Sequence, residues 1–159
     1  MDPSVKAENV YGMGMPFTLA EYRSRVAKVK EEMARQKIDL LYCSAPESLF
    51  YLSGYESYWY KAQCPREWPP LSGMAIRQDV ENFIFFDVDE EEGLARNYTV
   101  ATDIRIYEEG PAISEIEFIM KNLKAEGWLK GTVALEKWSY RPNPAISQII
   151  QAALEKEEC

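Results

Sequence analysis

Histidine is absent from these 159 residues. Within this chain that excludes a Cys-His nucleophile, a Ser-His-Asp triad and every histidine-based metal site. Cysteine is scarce: Cys43, Cys64 and Cys159 are odd in number and irregular in spacing. That argues against a disulfide framework or a zinc knuckle. No apolar run approaches a membrane span, and Met1 to Gly14 lack the apolar centre of a secretory signal. Basic charge is short as well. Lys and Arg total 18 against 26 Asp and Glu, a net charge of −8, and no basic patch stands out. Nucleic-acid and membrane partners are therefore not expected. The expectation is a soluble, cytoplasmic protein.

What is present is globular composition. Apolar residues make up 47 % and charged residues 28 %, enough for one domain with a real core. Residues 1–16 read as a flexible lead-in, and 17–159 as the domain. Thr18 and Glu21 have capping-box spacing, with Phe17 and Tyr22 placed as a hydrophobic staple. Leu19, Tyr22, Val26, Val29 and Met33 recur at steps of three and four, which predicts a helix to about Gln36. Ile38 to Cys43 is apolar enough for a strand covered on both faces, with Cys43 as a small buried hydrophobe.

Leu71 to Arg77 and Asn82 to Val88 read as an antiparallel hairpin turning at Gln78-Asp79. Asp87, Asp89, Glu90, Glu91 and Glu92 read together as the acidic start of the next helix, which ends near Tyr98. A metal site is the competing reading, but these carboxylates are consecutive rather than convergent. Ile104 to Tyr107 is a strand. Ser114 and Glu117 suggest a second capping box, with Ile113 and Phe118 as its staple and Gly127 as its stop. Thr132 to Glu136 is a strand, and Asn143-Pro144 opens a last helix.

The stretch that organises the chain is Pro46 to Tyr55. Pro46 suits the first turn of a short helix, and Gly54 suits the left-handed position just past its end. An aromatic loop follows, with Tyr58, Trp59, Tyr60, Cys64, Arg66 and Trp68. Trp59, Tyr60 and Trp68 offer rigid apolar area suited to a pocket wall or interface, or to a satellite core under the loop. Arg66 offers a planar fork for a carboxylate, or a surface ion pair with Glu67. A thiol enzyme at Cys64 would need a base that the chain lacks.

The helix around Glu21 to Arg25, the strand Ile38 to Leu41 and the run Tyr51-Leu52-Ser53-Gly54-Tyr55 resemble the N-terminal domain of the creatinase/prolidase family. That family includes aminopeptidase P, Xaa-Pro dipeptidases and hydrolases of amides such as ectoine. The resemblance covers nearly the whole chain from about Pro16. It implies a three-layer α/β fold, ribonuclease H-like, with a mixed, mostly parallel sheet and helices on both faces. It also implies a C-terminal catalytic domain outside this sequence. There, two divalent metals (Mn, Co or Zn; none in creatinase-like members) sit on two Asp, one His and two Glu. No catalytic residue, metal ligand or cofactor is expected in 17–159. The expected partners are the chain's own catalytic domain, a second copy in a homodimer, and a small-molecule or short-peptide substrate. Trp59, Tyr60, Arg66 and Trp68 are the candidate substrate contacts, Arg66 by analogy with a carboxylate-binding arginine in creatinase-like members. The alternative is a standalone binding or dimerisation module without catalytic activity.

Overall fold

The structure is a computed structural model that describes residues 15–56, 72–137 and 144–157. It opens with α1 (Leu19–Gln36). Thr18 caps this helix as its spacing predicts, accepting the Glu21 N–H at 3.2 Å. The rings of Phe17 and Tyr22 meet edge-on at 5.9 Å, which forms the staple. Glu21 does not complete the box: its carboxylate accepts from Arg25 Nε at 3.1 Å, one turn on. Then come β1 (Leu40–Cys43), α2 (Pro46–Ser53), β2 (Gly73–Arg77) and β3 (Ile84–Val88). A 3-10 turn at Asp89–Glu91 leads into α3 (Glu92–Tyr98). β4 (Asp103–Tyr107), α4 (Ala112–Ala125), β5 (Val133–Leu135) and α5 (Pro144–Glu155) complete the order.

The five strands form one sheet in the order β4-β3-β2-β1-β5. β1 with β5 and β3 with β4 are parallel pairs, whereas β2 is antiparallel to both β1 and β3. Strands β1, β3, β4 and β5 therefore run one way, and β2 alone runs back, as a hairpin with β3 requires. Alternation along the strands divides the core in two. Leu40, Tyr42, Ala75, Ile84, Phe86 and Val88 face α4 and α5, where Ile116, Ile119, Leu123, Ile150 and Leu154 meet them. Cys43, Met74, Ile76, Phe83 and Phe85 face the other way, onto Val26, Met33, Leu49, Leu52 and Ala95 of α1, α2 and α3. This is the expected three-layer arrangement.

Two local expectations need correction. Ser114 is not a cap. α4 starts two residues earlier behind Pro111, and the Ser114 hydroxyl donates back to the Pro111 carbonyl at 2.7 Å. Proline's fixed φ suits the edge of a helix, so the start moved to it. Asp87 is not part of an acidic helix start either. It is the fully buried penultimate residue of β3, whereas Asp89 and Glu90 beyond it are exposed.

Candidate functional site

In an open α/β sheet, ligands gather beyond the carboxyl ends of the parallel strands. Here Cys43, Val88, Tyr107 and Leu135 mark that edge, and Gly73 begins the reversed strand beside them. Several buried polar groups among the described residues lie there. Ser72 Oγ donates to Asp87 Oδ1 at 2.6 Å, and the Val88 N–H donates to the same oxygen at 3.0 Å. The Tyr55 hydroxyl faces both Asp87 and Ser72. Yet neither that hydroxyl nor Asp87 Oδ2 has a well-formed hydrogen bond, although both are buried. Buried polar atoms are nearly always partnered, so this pair stands out.

Burial pushes the Asp87 carboxyl up to about 6, against the pull of the Ser72 and Val88 hydrogen bonds and the nearby Tyr55 phenol; Glu91 adds to the rise. Burial likewise raises the Tyr55 phenol, reinforced by the charge of Asp87. Tyr42 and Tyr107, on the opposite face of the sheet, are raised for the same first cause and also feel Asp87 and Glu115. Gly73 makes room for this packing. A Cβ there would lie 2.2 Å from the Tyr42 hydroxyl and 2.3 Å from its Cζ.

The Tyr51 to Tyr55 run is a scaffold that delivers Tyr55. Leu52 enters the core. Ser53 turns its hydroxyl back to the Leu49 carbonyl at 2.7 Å and receives the Tyr55 N–H at 3.3 Å. Gly54 takes φ +86°, which an L side chain resists, and closes α2 by its N–H to the Phe50 carbonyl. Tyr55 then packs its ring 4.9 Å from Phe85. Tyr51 stays half exposed and stacks on Arg25, whose guanidinium lies 4.3 Å from the Tyr51 ring and 3.9 Å from Phe17. Arg25 Nη1 also donates to the Tyr51 carbonyl at 2.8 Å, tying α1 to the end of α2.

The start of α2 is held from β5. The Glu136 carboxylate accepts the N–H groups of Ser44 at 2.8 Å and Ala45 at 2.7 Å, and the Ser48 hydroxyl as well. A carboxylate suits a helix N-terminus because unpaired N–H groups and the helix dipole both favour it.

The candidate substrate contacts Trp59, Tyr60, Arg66 and Trp68 lie outside the described residues, as do Tyr58, Cys64 and Cys159. The structure brings together a different set, Tyr55, Ser72 and Asp87, while Glu136 separately holds the start of α2. Asp87 had a readable signal. It shares the strand parity of Phe83 and Phe85, so a buried acid was implied. Glu136 had none, nor had the tie from Arg25 to Tyr51, since those partners are remote in sequence.

The residues described do not fit the metal pair that the resemblance implies. No group of three His, Cys, Asp or Glu among them converges on one point. With no histidine in the sequence, this chain cannot supply the one His of that donor set. No helix among the described residues is long and apolar enough to cross a membrane.

Comparison with known proteins places this chain in a family. Residues 25–159 match the model of the creatinase/prolidase N-terminal domain. An ectoine hydrolase of Halomonas elongata is 29 % identical over 137 residues, covering 80 % of this chain and 32 % of that protein. An uncharacterized hydrolase/peptidase of Sinorhizobium fredii is 29 % identical over 132 residues, 78 % of this chain and 31 % of its own. The chain thus spans about a third of the length of these relatives. Among solved structures, an Xaa-Pro aminopeptidase from Streptococcus pyogenes superposes with TM-score 0.59 at 14 % identity, over 86 % of this chain and 88 % of that one. A dipeptidase from Pyrococcus horikoshii also gives 0.59, at 16 % identity, over 84 % and 32 %. The fold and the match over residues 25–159 agree: this chain belongs to the creatinase/prolidase N-terminal domain family.

Proposed function

We propose that this chain is the non-catalytic N-terminal domain of a hydrolase that cleaves a C–N bond, acting in the cytoplasm as part of a homodimer or larger oligomer. The observation that carries this is the family match over residues 25–159 of a chain that spans about a third of its hydrolase relatives. The chemistry belongs to a separate catalytic domain, with its two divalent metals where the parent keeps them. The present domain contributes to oligomerisation and to substrate choice at a partner subunit's active site. Trp59, Tyr60 and Trp68 supply rigid aromatic walls for that task, and Arg66 a planar fork for a substrate carboxylate. The substrate class is an Xaa-Pro peptide, creatine or a related amide such as ectoine.

Two experiments test this. In the full-length enzyme, Trp59→Ala and Arg66→Ala lower kcat/KM about tenfold or more while the melting temperature stays within a few degrees of wild type. Unchanged catalytic efficiency in both variants removes the selection role. The purified 159-residue chain, given Mn, Co or Zn, turns over no Xaa-Pro dipeptide. Turnover by that chain alone would overturn the assignment.

A further inference from the structure

The buried acid at the carboxyl edge has no role in the reading above, and its surroundings point to one. Asp87 is fully buried. The groups that face it are Ser72 before β2, Tyr55 after α2, the Val88 N–H and Glu91 in the 3-10 turn; Tyr42 of β1 and Tyr107 of β4 feel its charge. Among the described residues, none of the groups facing it is a cation. A buried carboxylate without a cation is costly, and proteins resolve that cost by pairing the charge or by protonating the group. One oxygen of Asp87 is fully used, by Ser72 and Val88. The other faces a phenol that is equally without a partner.

We propose that Asp87, Tyr55 and Ser72 form a buried proton-binding cluster that joins the end of α2 to the start of β2. A proton taken from solvent by Asp87 Oδ2 is donated to the Tyr55 hydroxyl, while Oδ1 keeps its bonds from Ser72 and Val88. In that form the cluster is neutral and both unpartnered atoms are joined. In the ionised form the phenol can supply the bridging proton, but an uncompensated negative charge remains beside Glu91. The same atoms are bridged in both forms; what the proton removes is the buried charge, and with it part of the cost of folding around the cluster.

The direction follows from linkage. The folded value of about 6 lies above the ordinary 3.8. The stabilisation is complete below the lower value and is lost as pH rises to the upper one. At the limit this changes the unfolding equilibrium about a hundredfold across the window.

The test measures the Asp87 carboxyl carbon by NMR in this chain and compares urea midpoints of wild type and Asp87→Asn from pH 4.5 to 8. The carboxyl is expected to titrate near 6. Asp87→Asn, permanently neutral and able to bond both Ser72 and Tyr55, is expected to be more stable than wild type at pH 8. That advantage should vanish toward pH 4.5. Titration at 4 or below, or an Asp87→Asn penalty that is the same at every pH, overturns the proposal. Should Asp87→Asn not fold, the wild-type titration still decides. Tyr55→Phe tests the pairing: without the phenol to stabilise the ionised form, the Asp87 midpoint should move further up, and an unmoved midpoint rejects the bridge.

Discussion

The two ends of the sheet satisfy their polar groups differently. At the amino end of β1, polar groups are matched one to one. Asp39 Oδ2 accepts the Thr132 N–H at 2.8 Å, and the Asp39 carbonyl accepts the Gln78 N–H at 2.9 Å. Arg77 Nη1 reaches the carbonyls of Trp128 at 2.9 Å and Lys130 at 3.1 Å. Lys30 Nζ donates to the carbonyls of Val80 and Glu81. At the carboxyl end, the hydroxyls of Tyr22, Tyr55 and Tyr107 and one oxygen of Asp87 are buried without hydrogen-bond partners. Arg77 and Lys30 serve the first end, whereas Asp87 and the buried phenols sit at the second, with Arg25 tied to the Tyr51 carbonyl beside them. The carboxyl end keeps groups that a purely structural core would have replaced by apolar ones.

The largest expected effect is at the carboxyl end. Gly73→Ala places a Cβ 2.2 Å from the Tyr42 hydroxyl and within 2.7 Å of its Cε1. Tyr42 is buried and paired in the sheet through Ala75 and Leu135, so it has little room to yield. We expect a loss of about 3 kcal/mol in urea unfolding. Combining it with Tyr42→Leu, which removes the ring atoms that clash, should recover part of that loss. No recovery would mean that Gly73 matters for its backbone and not for the tyrosine.

Next is the anchor of α2. Glu136→Ala leaves the Ser44 and Ala45 N–H groups and the Ser48 hydroxyl without their acceptor. A loss of about 2–3 kcal/mol is expected, since hydrogen bonds to a charged group are the strong ones. Glu136→Gln keeps the shape and one acceptor oxygen, so it should lose less than half as much. Equal losses in the two variants would show that charge, not hydrogen bonding, holds the helix.

Much of the fold was legible because it rests on local signals. Thr18, Pro46 and Gly54 fix helix ends by their own chemistry, and the structure uses each of them at those positions. Alternation located the hairpin and its turn. The failures came where local chemistry had two outlets. Ser114 had capping spacing, but Pro111 started the helix first. Asp87 looked like one of a run of acids, yet strand parity set it apart from Asp89 and Glu90. The site was less legible than the fold. Glu136 meets Ser44 across 92 positions of sequence, a pairing that only the parallel placement of β5 beside β1 creates.

The smallest effect is at the amino end, and it sharpens the contrast by its indifference to pH. Arg77→Ala removes donors to two carbonyls and the pairing with Asp79 at 2.9 Å. The Asp79 partner is well exposed, so that ion pair adds little. The expected cost is about 1 kcal/mol, mostly from the Trp128 and Lys130 carbonyls, which water can only partly replace. Arg77 holds the Asp79 carboxyl below its usual range by a hydrogen bond, so the aspartate stays ionised throughout pH 5 to 8. The penalty should therefore be flat over that interval, whereas the Asp87→Asn difference should shrink from pH 8 to 5. If Arg77→Ala shows the same slope, the pH dependence belongs to the fold as a whole and the two ends do not differ in kind.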